Sequence, residues 1–137
     1  MIHRRGLFAF LAMLLTAALL PAPASAKDFA SARIAVTVEG KGKDVILIPG
    51  LSSSPRVWKE MIAAVPGYRW HKVQVQGFAG TGKGGNTEGD VAAPVAEEIA
   101  RYIAEKKLGP VAVIGHSMGG TMGMMLGARH PARVSKL

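Results

Sequence analysis

A single serine in a glycine-rich turn is the residue of this chain best suited to covalent chemistry. Ser117 lies in Gly115-His116-Ser117-Met118-Gly119-Gly120, a Gly-x-Ser-x-Gly pattern. The pattern follows a short apolar run, Val111–Ile114, that is typical of a buried central strand. A chain that passes from strand to helix within about two residues strains the serine backbone and exposes its hydroxyl. The spacing therefore predicts an exposed serine hydroxyl that is placed to act as a nucleophile.

The glycines on either side of Ser117 are expected to serve this turn sterically. Side chains two residues before and two residues after the serine would collide, so Gly115 and Gly119 are predicted to be required there. A helix predicted from about Gly119 to Arg129 would place its amino end beside the hydroxyl. The dipole of that helix favours the negative charge that develops during acyl transfer.

Alternating strand and helix patterns along the chain must position this turn. Strands are predicted at Ile34–Glu39, Val45–Ile48, Tyr68–Gln76 and Val111–Ile114. Besides the helix after Ser117, helices are predicted from Pro55 to about Val65, capped by Ser54, and from about Val91 to Lys107. This alternation predicts an α/β fold, with a mostly parallel sheet covered by helices on both faces.

Two connections between these elements carry further expectations. The short segment Gly40-Lys41-Gly42 predicts that the first two strands pair as a hairpin. The segment from Gly77 to Gly89 contains most of a phosphate-binding Gly-x-x-x-x-Gly-Lys pattern, ending at Lys83. Gly84 stands where that motif needs a hydroxyl for magnesium, and no helix follows. Nucleotide binding is therefore disfavoured, and we expect a flexible rim over the catalytic edge of the sheet.

From about Ile34 onward, the chain resembles the α/β-hydrolase superfamily. The Gly-His-Ser-Met-Gly-Gly form, directly after a buried strand and before a helix, carries the resemblance as the family's nucleophile elbow. The run Val45–Gly50 resembles the family's third strand and the turn that follows it. The resemblance implies that Ser117 is the catalytic nucleophile and that the backbone amides of Leu51 and Met118 form the oxyanion hole.

Departures from the family pattern limit what the resemblance implies. Pro49-Gly50 replaces a frequent His-Gly, and Gln76–Gly80 replaces a frequent Asp-x-Arg-Gly, so no subgroup is assigned. A serine at the elbow excludes the epoxide- and halide-displacing chemistries that use aspartate there, and leaves acyl transfer from carboxylic esters or amides.

The acid and base that a serine nucleophile needs are not found after Ser117 in this sequence. No acid follows it, and the one later histidine, His130, is expected to place a favourable charge at a helix end. We therefore interpret residues 27–137 as the N-terminal part of an α/β-hydrolase domain. If these residues are expressed alone, the strand Val111–Ile114 is expected to have an open edge. Two hypotheses stay open: a serine hydrolase acting on small-molecule esters or amides, or a non-catalytic remnant of one.

Other chemistry-bearing side chains are given structural roles. His71 precedes Ser117 and is predicted to be a satisfied structural histidine, and His116 is expected to pack beside the site. Met122, Met124 and Met125 are expected in the core, with Met118 facing substrate. Without cysteine, and with its charge of +8 scattered along the chain, the sequence predicts no metal site, no cofactor and no nucleic-acid partner.

Residues 1–26 have the pattern of a secretory signal peptide. Arg4 and Arg5 precede the uncharged run Leu7–Leu20, and Ala24-Ser25-Ala26 fits a cleavage site. The run of about 14 residues is short for a bilayer span, so no stable membrane anchor is expected after cleavage. The protein is predicted to be exported, periplasmic or secreted, by either the general or the twin-arginine route.

Overall fold

The computed structural model describes residues 28–137, so the predicted signal peptide lies outside the described residues. Within that range the strands are β1 Ile34–Gly40, β2 Lys43–Ile48, β3 Tyr68–Val75, β4 Val111–Gly115 and β5 Val134–Lys136. The α-helices of the same range are α1 Lys59–Ala64, α2 Ala92–Glu105 and α3 Met118–Arg129, and 3-10 turns cover Pro55–Trp58 and Pro131–Arg133.

One sheet with the strand order β1-β3-β2-β4-β5 forms the centre of the described residues. Strands β3, β2, β4 and β5 are parallel, and β1 is antiparallel to β3. Helices α2 and α3 pack on one face and α1 packs on the other. The predicted α/β class, with a mostly parallel sheet and helices on both faces, is confirmed.

The predicted hairpin between the first two strands is wrong. Strand β3 lies between β1 and β2, with Val36 opposite Val73 and Ile46 opposite His71. The Gly40–Gly42 connection therefore passes over the start of β3. A Cβ at Gly42 would lie 2.0 Å from the carbonyl oxygen of Gly67. These glycines thus allow a close crossing rather than a tight two-residue turn.

The larger core lies between the sheet and helix α2. Val95, Ile99, Tyr102 and Ile103 of α2 are at most 2% exposed, as the predicted apolar face requires. Burying each large apolar side chain contributes on the order of 1.5–3 kcal/mol. The smaller core, on the opposite face, joins Val45, Leu47, Trp58 and Trp70. Ser54 accepts a hydrogen bond from the Arg56 amide (3.3 Å), which confirms the predicted cap.

The end of the described chain differs from expectation in two respects. Residues Val134–Lys136 already form a short parallel strand beside β4, with Val134 opposite Val111. Strand β4 is not buried throughout, because Ile114 is 38% exposed. Ile114 lies beyond the part of β4 that pairs with β5, which is Val111 and Ala112.

Candidate active site

Ser117 occupies the turn between β4 and α3 in a strained conformation. Its φ is 52° and its ψ is −119°, values that suit the first central residue of a type II′ turn and are unusual for any residue but glycine. The Gly119 amide closes this turn by donating to the His116 carbonyl oxygen at 2.9 Å. The predicted backbone strain at the serine is thereby confirmed.

Glycine is required on both sides of Ser117, because neighbouring backbone atoms lie too close for a Cβ. A Cβ on Gly115 would lie 2.3 Å from the carbonyl oxygen of Gly119, so this position has no room for a side chain. A Cβ on Gly119 would lie 2.2 Å from the carbonyl oxygen of Ile48, at the end of the neighbouring strand β2. Gly119 therefore holds α3 against β2 as well as allowing the turn.

A second turn, after β2, lies directly against the first. A Cβ on Gly50 would be 3.3 Å from the Ser117 Cβ and 2.9 Å from His116 Nδ1. The Ser53 amide donates to the Gly50 carbonyl oxygen at 3.1 Å, and Ser52 has a φ of 56°. Positive φ at the second central residue is the mark of a type II turn.

Three polar groups at the meeting point of these turns have no partner within residues 28–137. They are the Ser117 hydroxyl and the backbone amides of Leu51 and Met118. Ser117 is exposed, and it borders a cavity of about 400 Å³ that is also lined by Ile114, Thr121, Met124 and Leu137. The site thus presents an accessible hydroxyl and unpaired N–H donors.

The loop from Gly77 to Gly89 follows β3 at the same edge of the sheet. Asn86, 9% exposed, donates to the carbonyl oxygens of Arg33 (2.9 Å) and Gln76 (3.0 Å) and accepts from the Arg33 guanidinium (2.9 Å). The Gly85 amide also donates to the Ala32 carbonyl oxygen at 2.7 Å. The second half of the loop is therefore tied to the start of β1, a contact that the sequence did not indicate.

His71 is confirmed as a satisfied structural histidine. It is 3% exposed, with Nε2 2.7 Å from Asp44 Oδ1 and Nδ1 2.6 Å from the Tyr102 hydroxyl. Because the carboxylate only accepts, Nε2 carries the hydrogen, and in the neutral ring Nδ1 accepts from Tyr102. Arg69 also pairs with Asp44, and this hydrogen bond is the main reason that the pKa of Asp44 is lowered.

The other two histidines of the described chain contribute no base to Ser117. His130 follows the end of α3 as predicted, and its Nε2 lies 2.8 Å from Glu97 Oε2. Its hydrogen bond, followed by that of Arg129, lowers the pKa of Glu97. His116 is exposed and lies beside Gly50. The described residues contain no cluster of His, Asp and Glu that could hold a metal ion.

The methionines divide differently from the prediction. Met122 is fully buried and Met125 packs against the core, as expected. Met124 is 58% exposed and lines the cavity beside Ser117, so its expected place in the core is wrong. Met124 lies on the side of α3 that borders this cavity and is not part of the core cluster. Met118 is partly buried against the core.

A strand–turn–helix serine site on a mostly parallel sheet defines a hydrolase-like class, and comparisons with known proteins agree. The family described as alpha/beta hydrolase fold matches residues 44–137. This protein belongs to that family. No helix in the described part of the chain is long and apolar enough to cross a bilayer.

Individual relatives are esterases. The chain is 30% identical over 100 residues to a pimeloyl-[acyl-carrier protein] methyl ester esterase from Photobacterium profundum, covering 72% of this chain and 37% of that protein. Among solved structures, an esterase from Exiguobacterium antarcticum matches with a TM-score of 0.67 and 27% identity, covering 76% of this chain and 39% of that one. A marine microorganism esterase matches with a TM-score of 0.67 and 25% identity, covering 78% and 41%.

The chain spans about two fifths of the length of the relatives it matches. The family match over residues 44–137 contains strands β3, β4 and β5, all of β2 except Lys43, both turns of the site and helix α3, and strand β1 lies outside it.

Proposed function

We propose that Ser117 is the nucleophile of a serine hydrolase that cleaves small-molecule carboxylic esters or amides. The Ser117 Oγ attacks the carbonyl carbon as a general base takes the hydroxyl proton. The resulting tetrahedral oxyanion accepts hydrogen bonds from the amides of Leu51 and Met118. Collapse expels the alcohol or amine, which takes up a proton, and leaves the acyl group on Ser117. Water then hydrolyses this acyl-enzyme.

The observation that carries this proposal is the unpaired hydroxyl of Ser117 beside two unpaired backbone amides. Strained backbone is retained where the surrounding structure enforces it, often at sites of function. Here Gly115 and Gly119 approach neighbouring backbone so closely that no Cβ fits, and Gly50 packs tightly against His116 and Ser117. The ester-cleaving activity in the name of the Photobacterium relative supports the ester class.

The general base and its acid partner are proposed to come from residues outside the described chain. Ser117 Oγ makes no hydrogen bond within residues 28–137, so none of the histidines there is in place to activate it. The other open hypothesis, a non-catalytic remnant, is separated by the nucleotide sequence beyond the Leu137 codon. An in-frame continuation with a late aspartate and histidine supports the enzyme, and a stop codon supports the remnant.

The proposed nucleophile is tested by reacting the intact gene product with a fluorophosphonate probe and locating the label by peptide mass spectrometry. We expect labelling of Ser117, loss of labelling in Ser117→Ala, and unchanged labelling in Ser135→Ala, an exposed serine of β5. Equal labelling of Ser117→Ala and the unaltered protein would contradict the assignment.

We also propose export with cleavage after Ala26, on the basis of the signal pattern alone. The expected product begins at Lys27. Intact-mass measurement of protein recovered from the periplasm or medium of the expressing cell checks this. A mass that retains residues 1–26 in the exported fraction would overturn the cleavage site.

A further inference from the structure

The type II turn after β2 contains a strained residue that the proposed chemistry does not use directly. Ser52 has a φ of 56°, in the left-handed region that residues other than Gly and Asn seldom adopt. Its own side chain makes no hydrogen bond within the described residues. The strain is therefore not offset by a contact of the Ser52 hydroxyl, and its effect must be on the backbone.

The effect of Ser52 on the backbone follows from the planarity of the peptide bond. A positive φ at Ser52 lets the Ser53 amide reach the Gly50 carbonyl oxygen, and that bond is 3.1 Å long. The Gly50 carbonyl and the Leu51 N–H belong to one trans peptide plane and point in opposite directions. Holding the carbonyl on the Ser53 side therefore directs the Leu51 N–H to the other side.

The turn at Ser117 orients the backbone amide of Met118 in the same way. The Ser117 carbonyl oxygen accepts from the amides of Gly120 (2.8 Å) and Thr121 (3.3 Å), in the first turn of α3. The N–H of Met118 lies in the same peptide plane and points away from the helix. Both unpaired amides of the site thus belong to peptides whose carbonyl is tied down, and both turns depend on a serine with φ above 50°.

We propose that Ser52 is a positioning residue, whose positive φ closes the Gly50–Ser53 turn and thereby aims the Leu51 amide at the oxyanion. This inference rests on the proposed function of Ser117. It assigns the role to the conformation of residue 52 rather than to its hydroxyl.

The test compares three substitutions at one position in the intact gene product. Ser52→Val disfavours positive φ because of its branched Cβ. Loss of one oxyanion donor lowers kcat by about 10²- to 10³-fold, and misdirection of the Leu51 amide should cost about 10-fold or more with little change in KM. Ser52→Gly and Ser52→Asn lack the hydroxyl but accept positive φ, so both should restore kcat.

Lys107→Val is the matched control for strain alone. Lys107 also has a φ of 52°, but it follows α2 shortly before β4 begins, at the opposite edge of the sheet from Ser117. We expect it to lower the melting temperature while kcat stays unchanged. Kinetics are measured with p-nitrophenyl acetate at a temperature well below each variant's melting transition.

Two results would overturn the role of Ser52. One is a Ser52→Val enzyme with unaltered kcat. The other is a loss of kcat in Ser52→Gly and Ser52→Asn that is as large as the loss in Ser52→Val. Hydrolysis that persists in Ser117→Ala would instead overturn the proposed function, so the two failures are distinguishable.

Discussion

Two polar regions of this molecule treat their hydrogen-bonding groups in opposite ways. Around His71, both ring nitrogens, the Asp44 carboxylate and the Tyr102 hydroxyl have partners within 3 Å. Around Ser117, a hydroxyl and two backbone amides have none within residues 28–137, and the backbone is strained. A histidine is a common catalytic residue, yet the polar groups of the His71 cluster are all paired with one another and stabilise the fold.

The difference between the two regions teaches which polar cluster is available for chemistry. Buried polar groups in a fold are paired because leaving one unpaired costs about 1–3 kcal/mol. The His71 cluster follows that rule and joins β2, β3 and α2. The Ser117 hydroxyl is exposed and borders a cavity, so its lack of a partner in the described residues does not carry the cost of a buried unpaired group.

Gly115→Val should produce the largest effect, on the Ser117 side of the comparison. Its Cβ would overlap the Gly119 carbonyl oxygen, so the turn must open or the helix must shift. We expect kcat of the intact gene product to fall at least about 100-fold, because misplacement of a reacting group by about 1 Å is that costly. The free energy of unfolding should fall by about 2–4 kcal/mol, as measured by denaturant titration.

Gly127→Ala is the control for Gly115→Val. It lies on the same helix, α3, and a Cβ there meets nothing within 4 Å. Alanine in a helix interior should stabilise the protein by about 0.5–1 kcal/mol without altering kcat. A Gly115→Val protein as active and as stable as Gly127→Ala would show that the turn is not tightly constrained.

Tyr102→Phe should have a moderate effect on the His71 side, confined to stability. The change removes the hydroxyl that pairs with His71 Nδ1 and leaves that buried nitrogen without a partner. We expect a loss of about 1–3 kcal/mol in the free energy of unfolding and no change in kcat. Tyr68→Phe, at a tyrosine 36% exposed, should change stability by less than about 0.5 kcal/mol. A loss of kcat in Tyr102→Phe would show that the His71 cluster also supports activity at Ser117, contrary to the comparison.

The smallest expected effect is an alkaline loss of stability that depends on Tyr102. Burial raises the pKa of Tyr102 to about 12 from its ordinary value of 10. Between these values the folded state keeps the phenol proton while the unfolded state releases it, so stability is complete below pH 10 and declines as pH rises towards about 12. Denaturant titrations across this range should show a shallower decline in Tyr102→Phe. An identical decline in both proteins would contradict the assigned cause.

Local sequence determined the elements and the turn at Ser117. Helix α2, its apolar face and the Ser54 cap follow from spacing and residue type within a few positions. The Gly-x-Ser-x-Gly turn is equally local at Gly115, because a Cβ there would overlap the carbonyl oxygen of Gly119, four positions later.

Tertiary structure alone decided which strands are neighbours and which partners the polar groups find. Strand β3 separates β1 from β2, because pairing depends on backbone hydrogen bonds between residues at least 25 positions apart, and a short glycine connection is compatible with either arrangement. The contact of Gly50 with Ser117 and the Asp44–His71–Tyr102 cluster both arise where distant segments meet. The residue type determines which hydrogen bonds a polar group can form, but only the packing of distant segments determines whether those hydrogen bonds are made.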